Sequence, residues 1–184
     1  MTMTDEDGIS DADIYDEHGA VRSDFLTEIS DAIDRSDRSV IERHVVRLHE
    51  SELGDLLEAL PPPERLTLVR LLGDEFDMTA LTQVDEAIRM EIVDQMPNDQ
   101  IAAGIGELDS DDAVYILEDL DQEDRDEILS QLPFTERVRL RRALEYPEQS
   151  AGRRMQTEFI AVPPFWTVGQ TIDYMREGEQ LPET

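Results

Sequence analysis

Residues 108–132 read LDSDDAVYILEDLDQEDRDEILSQL. Leu108, Leu120 and Leu132 stand twelve residues apart, and the pairs Ile116-Leu117 and Ile128-Leu129 fall eight and nine residues into the two units. Each unit opens on residues that cap helices, Asp109-Ser110 in the first and Asp121 in the second, because their side chains accept hydrogen bonds from the free amides of a first turn. Twelve residues hold a helix of roughly nine or ten residues and a tight turn. Helices that short are not stable alone, so each must bury its apolar face on its neighbours.

The period extends in both directions. Leu48, Leu60, Leu72, Val84, Met96 and Leu144 complete the series, and Leu56-Leu57, Leu68-Val69, Ala80-Leu81 and Ile92-Val93 complete the pairs. Gly104-Ile105 and Leu140-Arg141 are the weak members. The other units open on Ser51, Pro61 to Pro63, Gly73-Asp74, Asp85, Pro97-Asn98 and Pro133, and proline suits a first helical turn. Pro61, Pro97 and Pro133 are 36 residues apart, with Glu64, Gln100 and Glu136 three residues later at a capping-box spacing. A fixed period marks a repeat array. The expected fold is all-α: a right-handed superhelical stack of about ten short helices, an α-solenoid, over residues 23–146. Phe25, Leu26, Ile29 and Ile33 give its first helix one apolar face.

Residues 1–20 hold seven acids and neither Lys nor Arg. This composition predicts an acidic flexible tail over residues 1–22 without core contacts, since it cannot offset the entropy of ordering. The pattern breaks at Tyr146-Pro147. Beyond it, Phe159 to Val162 reads as a short strand, and Thr167 caps a helix with Val168, Ile172 and Met175 on one face. Residues 147–184 are therefore expected to be a linker and the start of a further domain. A monomer is expected.

The chain of 184 residues carries 45 acids against 16 bases, a net charge of -29, and every base is arginine. Such a field repels phosphate backbones and anionic membranes and attracts cations. The absence of cysteine excludes disulfides and thiolate chemistry, and three scattered histidines argue against a histidine metal site. No nucleophile-base pair or phosphate loop is present, so an enzyme is not expected. Ten acids lie between residues 109 and 127, opposed only by Arg125. Asp109, Asp111 and Asp112 crowd one helix start. Carboxylate oxygens suit magnesium or calcium, while the plain reading is complementation of the helix dipole. The arginines at 137, 139, 141, 142, 153 and 154 either dock an acidic partner or pair internally with the surplus acids.

Three segments resemble the cytosolic N-domain of MgtE-type magnesium transporters: Asp109-Ser110-Asp111-Asp112-Ala113, Leu129-Ser130-Gln131-Leu132-Pro133, and Tyr146 to Gly152 followed by Phe159-Ile160-Ala161-Val162. Trp166-Thr167-Val168-Gly169 is similar to the entry into that family's first CBS domain, which identifies the expected tail as a truncated CBS strand–helix fragment. The resemblance implies a magnesium-sensing regulatory domain on the cytoplasmic side of the inner membrane. Its implied partners are the CBS domains and membrane domain of the same full-length, homodimeric chain. Weakly bound, regulatory Mg2+ would bridge its acidic face to the CBS domains and favour a closed pore. The resemblance places Asp111 at an interface acid. Four residues on, this chain has Tyr115 where an acid is common, and a further acidic position falls at Thr79, with Asp77 nearby. Asp111 and Asp112, supported by Asp109 and Asp77, are thus the expected metal contacts. Arg153 and Arg154 replace small and apolar residues of the family's junction. The alternative is a helical-repeat docking scaffold whose acidity serves only solubility.

Overall fold

The computed structural model describes residues 14–157 and 160–177. Within them the chain forms ten α-helices and no strand, apart from a single antiparallel bridge between Tyr15 and Val21. The helices are α1 (Ser23–Arg35), α2 (Arg38–His44), α3 (Glu50–Ala59), α4 (Pro62–Leu72), α5 (Glu86–Val93), α6 (Asn98–Ile105), α7 (Ser110–Leu117), α8 (Gln122–Gln131), α9 (Phe134–Leu144) and α10 (Val168–Glu177).

Along most of the chain each helix packs on the one two places away: α2 on α4, α6 on α8 and α7 on α9. This is the stacking that the twelve-residue period demands, since a short helix covers its neighbour's apolar stripe and leaves its own polar face outside. Leu48, Leu60, Leu72, Val84, Met96 and Leu132 are buried in one continuous core, with Leu108, Leu120 and Leu144 half-buried against it. Leu56, Leu57, Leu68, Leu81, Ile92, Ile116 and Leu117 from the apolar pairs are almost wholly enclosed.

Four expectations are corrected. The unit at 73–84 is no α-helix but two 3-10 turns, Gly73–Glu75 and Met78–Thr82. Gly73 has φ 57°, and Phe76 and Asp77 are extended, so the chain cannot wind continuously there. Ala80, Leu81 and Val84 stay buried all the same, and the turn Met78–Thr82 packs between α3 and α7.

The second correction concerns the prolines. Pro61, Pro97 and Pro133 are N-cap residues, one place ahead of the first turn. Proline has no N–H for a glutamate to accept and no side-chain acceptor, so no capping box forms with it. Gln100 instead donates to the Gly73 carbonyl at 3.0 Å. The one box in α1 to α9 is at α3, where His49 accepts from the Ser51 amide and Glu52 accepts from the His49 amide at 2.8 Å.

Third, the described part of the acidic segment is not a loose tail. Ile14 is fully buried, and the Tyr15 hydroxyl donates to Asp55 at 2.7 Å. One apolar side chain and the Tyr15–Val21 bridge give residues 14–22 enough contact to order; residues 1–13 lie outside the described residues. Fourth, residues 160–162 form no strand, and among the described residues no strand stands beside them to take their backbone groups; Phe159 lies outside the described residues. The expected helix does form. Thr167 and Gln170 cap α10 reciprocally, with the Gln170 side chain accepting from the Thr167 amide at 2.9 Å.

Candidate cation site at the start of the seventh helix

Ala113, Val114, Ile116 and Leu117 pull α7 into the core, which draws its first turn partly out of solvent. Ser110 there is 2% exposed, and Asp109, Asp111 and Asp112 are half-buried. Asp109 is the N-cap residue, yet its side chain makes no bond to its own helix. It accepts instead from the Gln156 side-chain amide at 2.6 Å. One carboxylate oxygen of Asp111, Oδ1, is buried without a hydrogen-bond partner. Burial, and then the charges of Asp111, Asp109 and Glu50, push the Asp112 carboxyl above its ordinary range. Three carboxylates predicted together are therefore together, and they repel.

Glu50, at the start of α3, joins this electrostatic group from sixty residues away in sequence. Repeat pattern alone could not place it there, since it depends on which helix ends share a face. Asp77 does not take part: it is exposed and accepts from the Thr79 amide at 2.9 Å, capping the turn Met78–Thr82. A short acid ahead of a turn is held by the nearest free amide. Among the described residues no three His, Cys, Asp or Glu side chains stand close enough together to hold a metal by themselves. The acids at the start of α7 do not by themselves form a metal site; a hard cation there would have to take most of its oxygens from water or from another surface.

The other half of the local chemistry is arginine. Arg89 is 2% exposed and pairs with Asp119 at 2.7 Å, with its guanidinium 4.2 Å from the Tyr115 ring centroid. Burial works against its charge, but Asp119 more than offsets that and holds its pKa above the ordinary value. Glu118, 13% exposed, takes both Arg153 at 3.2 Å and Arg154 at 2.6 Å. Arg141 pairs loosely with Asp126 at 3.7 Å, while Arg137 donates to the Ser130 carbonyl rather than to an acid. Internal pairing therefore accounts for Arg141, Arg153 and Arg154. The buried arginines 65 and 89 each stand five residues after a member of the apolar series, Leu60 and Val84, but Arg125 and Arg137 share that register without being buried, so the spacing alone could not have found them.

Comparison with known proteins agrees with this architecture. A solved structure described as "Crystal structure of the soluble part of a magnesium transporter" superposes with a TM-score of 0.69 at 20% sequence identity, covering 85% of this chain. The chain spans 64% of that structure's length, and the likeness is one of fold. No curated protein matches the chain significantly. The family model described as "MgtE intracellular N domain" matches residues 48–149, more than half of the sequence and all of the repeat from α3 to α9. On that match the chain belongs to the MgtE intracellular N domain family.

Proposed function

We propose that this domain senses magnesium on the cytoplasmic side of a membrane transporter and regulates it, without itself transporting or catalysing. The observation that carries the reading is the crowding of Asp109, Asp111 and Asp112, with one buried, unpartnered Asp111 oxygen and an Asp112 carboxyl whose ionisation is opposed. Such a face gains from a divalent cation, whose remaining oxygens come from water or from a second acidic face. Family membership supports the choice of that second face: CBS domains of the same full-length, homodimeric transporter. With ions bound the two faces join and the compact state favours a closed pore; when magnesium falls, they repel. No helix among the described residues is long and apolar enough to cross a membrane.

Magnesium titration of the chain tests the reading. Millimolar magnesium should raise the melting temperature above that reached with sodium chloride at equal ionic strength. Asp111→Asn combined with Asp112→Asn should remove the difference. If the double variant responds like the parent, these two residues are only helix-start acids. The rival reading, a docking scaffold, draws on the exposed Phe134 and Val138 side chains of α9 and requires no magnesium response at all.

A further inference from the structure

We propose that residues 150–157 are a latch, closed by Glu118, that caps the last unit of the helix stack and fixes the direction in which the chain leaves it. No bound ion is needed for this. The last unit of a repeat array has no following unit to cover it, and α9 ends on carbonyls without intrahelical donors. Earlier in the stack, Arg65 and Arg89 each bond the carbonyls that close a unit and one carboxylate of a later unit. Arg153 repeats that arrangement at the end of α9. It is 6% exposed, donates to the carbonyls of Leu144 and Tyr146, and pairs with Glu118 at 3.2 Å. Successive turns deliver it there: the Ser150 amide donates to the Pro147 carbonyl at 2.9 Å, and the Arg153 amide to the Ser150 carbonyl at 3.1 Å. Gly152 lets the second turn close on the Tyr146 ring, where a Cβ would stand 2.9 Å from Cδ1.

From Arg153 the chain runs back along α7, against that helix's direction. Glu118 is the C-cap residue of α7, and Ser110 is its first residue. At the Glu118 end, Arg154 takes the second carboxylate oxygen at 2.6 Å, and its guanidinium lies 5.5 Å from the Tyr115 ring centroid. At the Ser110 end, the Thr157 amide donates to the serine hydroxyl oxygen at 2.9 Å, and the two hydroxyls stand 2.7 Å apart. The eight steps from Ser110 to Glu118 cover about 12 Å of helix. The four steps from Arg153 to Thr157 reach at most about 14 Å. A segment of that reach, bonded at both ends, has little slack. α7 in turn packs on α9 and on the turn Met78–Thr82, so a chain held along α7 is held to the body of the stack. The chain therefore leaves the domain from the start of α7 and not from Tyr146, where the repeat pattern breaks. Glu118, 13% exposed, is the closing group because one carboxylate serves both guanidiniums. Without its charge two cations face one another, one of them enclosed.

Backbone NMR order parameters of the full chain, in buffer without divalent cations, decide the point. The amides of Arg154, Gln156 and Thr157 should be as rigid as those of Ile116 and Leu117, at about 0.85. Glu118→Gln keeps the shape and removes the charge. It should drop residues 154–157 below about 0.6 while Ile116 and Leu117 keep the parent values. Ser110→Ala removes only the far attachment, so Thr157 should loosen while Arg154 stays rigid. Values below about 0.6 at residues 154–157 of the parent overturn the latch, because the chain would then leave the stack at Tyr146. A Glu118→Gln variant whose residues 154–157 stay as rigid as the parent's overturns it as well. If Glu118→Gln loses helix content in circular dichroism, Ser110→Ala decides alone: a Thr157 that stays rigid without the serine hydroxyl overturns the latch, and one that loosens by itself supports it.

Discussion

Arg65 and Arg89 occupy the same register two units apart, and they do the same thing. Arg65 donates to the carbonyls of Leu57 and Leu60, and Arg89 to those of Leu81 and Val84. These carbonyls close a unit of the repeat, where a helix or turn leaves its last oxygens without intrahelical donors. Each guanidinium then takes one carboxylate from a later unit, Glu91 or Asp119. Removing one partner of such a pair strands the other in a poorly solvated place. Arg89→Ala should therefore cost about 3–5 kcal/mol in urea unfolding, and Arg89→Lys should recover only part, because an ammonium cannot reproduce the planar fork. A loss near that of an exposed arginine would mean that Asp119 finds another partner. Asp112 acts in the opposite direction. Its folded value lies above the ordinary carboxylate value, so between the two values the folded chain holds a proton that the unfolded chain has released. Stability then falls as pH rises through that window and stays reduced above it. Asp112→Asn should accordingly be more stable than the parent at neutral pH, with the advantage fading as pH drops below the ordinary carboxylate range. Asp24 has the reverse sign: Arg22 holds it down to about 2, so its contribution is present above 3.8 and is lost as pH falls toward about 2. Unfolding measured at several pH values reads both.

Gly104 shows what an element can demand of one position. A Cβ there would lie 2.2 Å from Met78 Cγ, because α6 runs hard against the entry to the 3-10 turn Met78–Thr82. Helix propensity favours alanine over glycine by about 1 kcal/mol, but overpacking a filled core costs about 1–3 kcal/mol. Met78 is 4% exposed and has little room to move. Gly104→Ala should lower the melting temperature, and adding Met78→Ala should make the alanine at 104 better tolerated than it is alone. The same element marks the limit of the sequence reading. The period located the buried residues at 80, 81 and 84 correctly, because burial follows from packing on neighbours. It could not tell an α-helix from two 3-10 turns, since either places an apolar side chain inward at that spacing. Asp109, Asp111 and Asp112 were legible because they are adjacent on one turn. Glu50 and Gln156 were not, because they reach that turn from other segments. Asp77 has a local role that the pattern did not show: its carboxylate accepts from the Thr79 amide and caps the turn Met78–Thr82.

At the scale of the whole molecule, charge decides how stability depends on the solvent. The chain carries a net charge of -29, and folding brings those charges closer together than they stand in the expanded unfolded chain. The favourable ion pairs divide into two kinds. Arg65, Arg89 and Arg153 are enclosed in the core, where salt screens little. Pairs such as Arg35–Asp31 and Arg38–Glu42 are exposed and contribute little in any buffer. Screening therefore weakens repulsion across the surface far more than it weakens the attractions that hold the fold. The Debye length falls from about 30 Å at 0.01 M salt to about 3 Å at 1 M, so the larger part of the relief should come at low concentration. Thermal unfolding in potassium chloride should show a rising melting temperature across that range, steepest at the start. A melting temperature that falls with added salt would mean that surface ion pairs outweigh the net charge, against the burial and distances of the pairs described here.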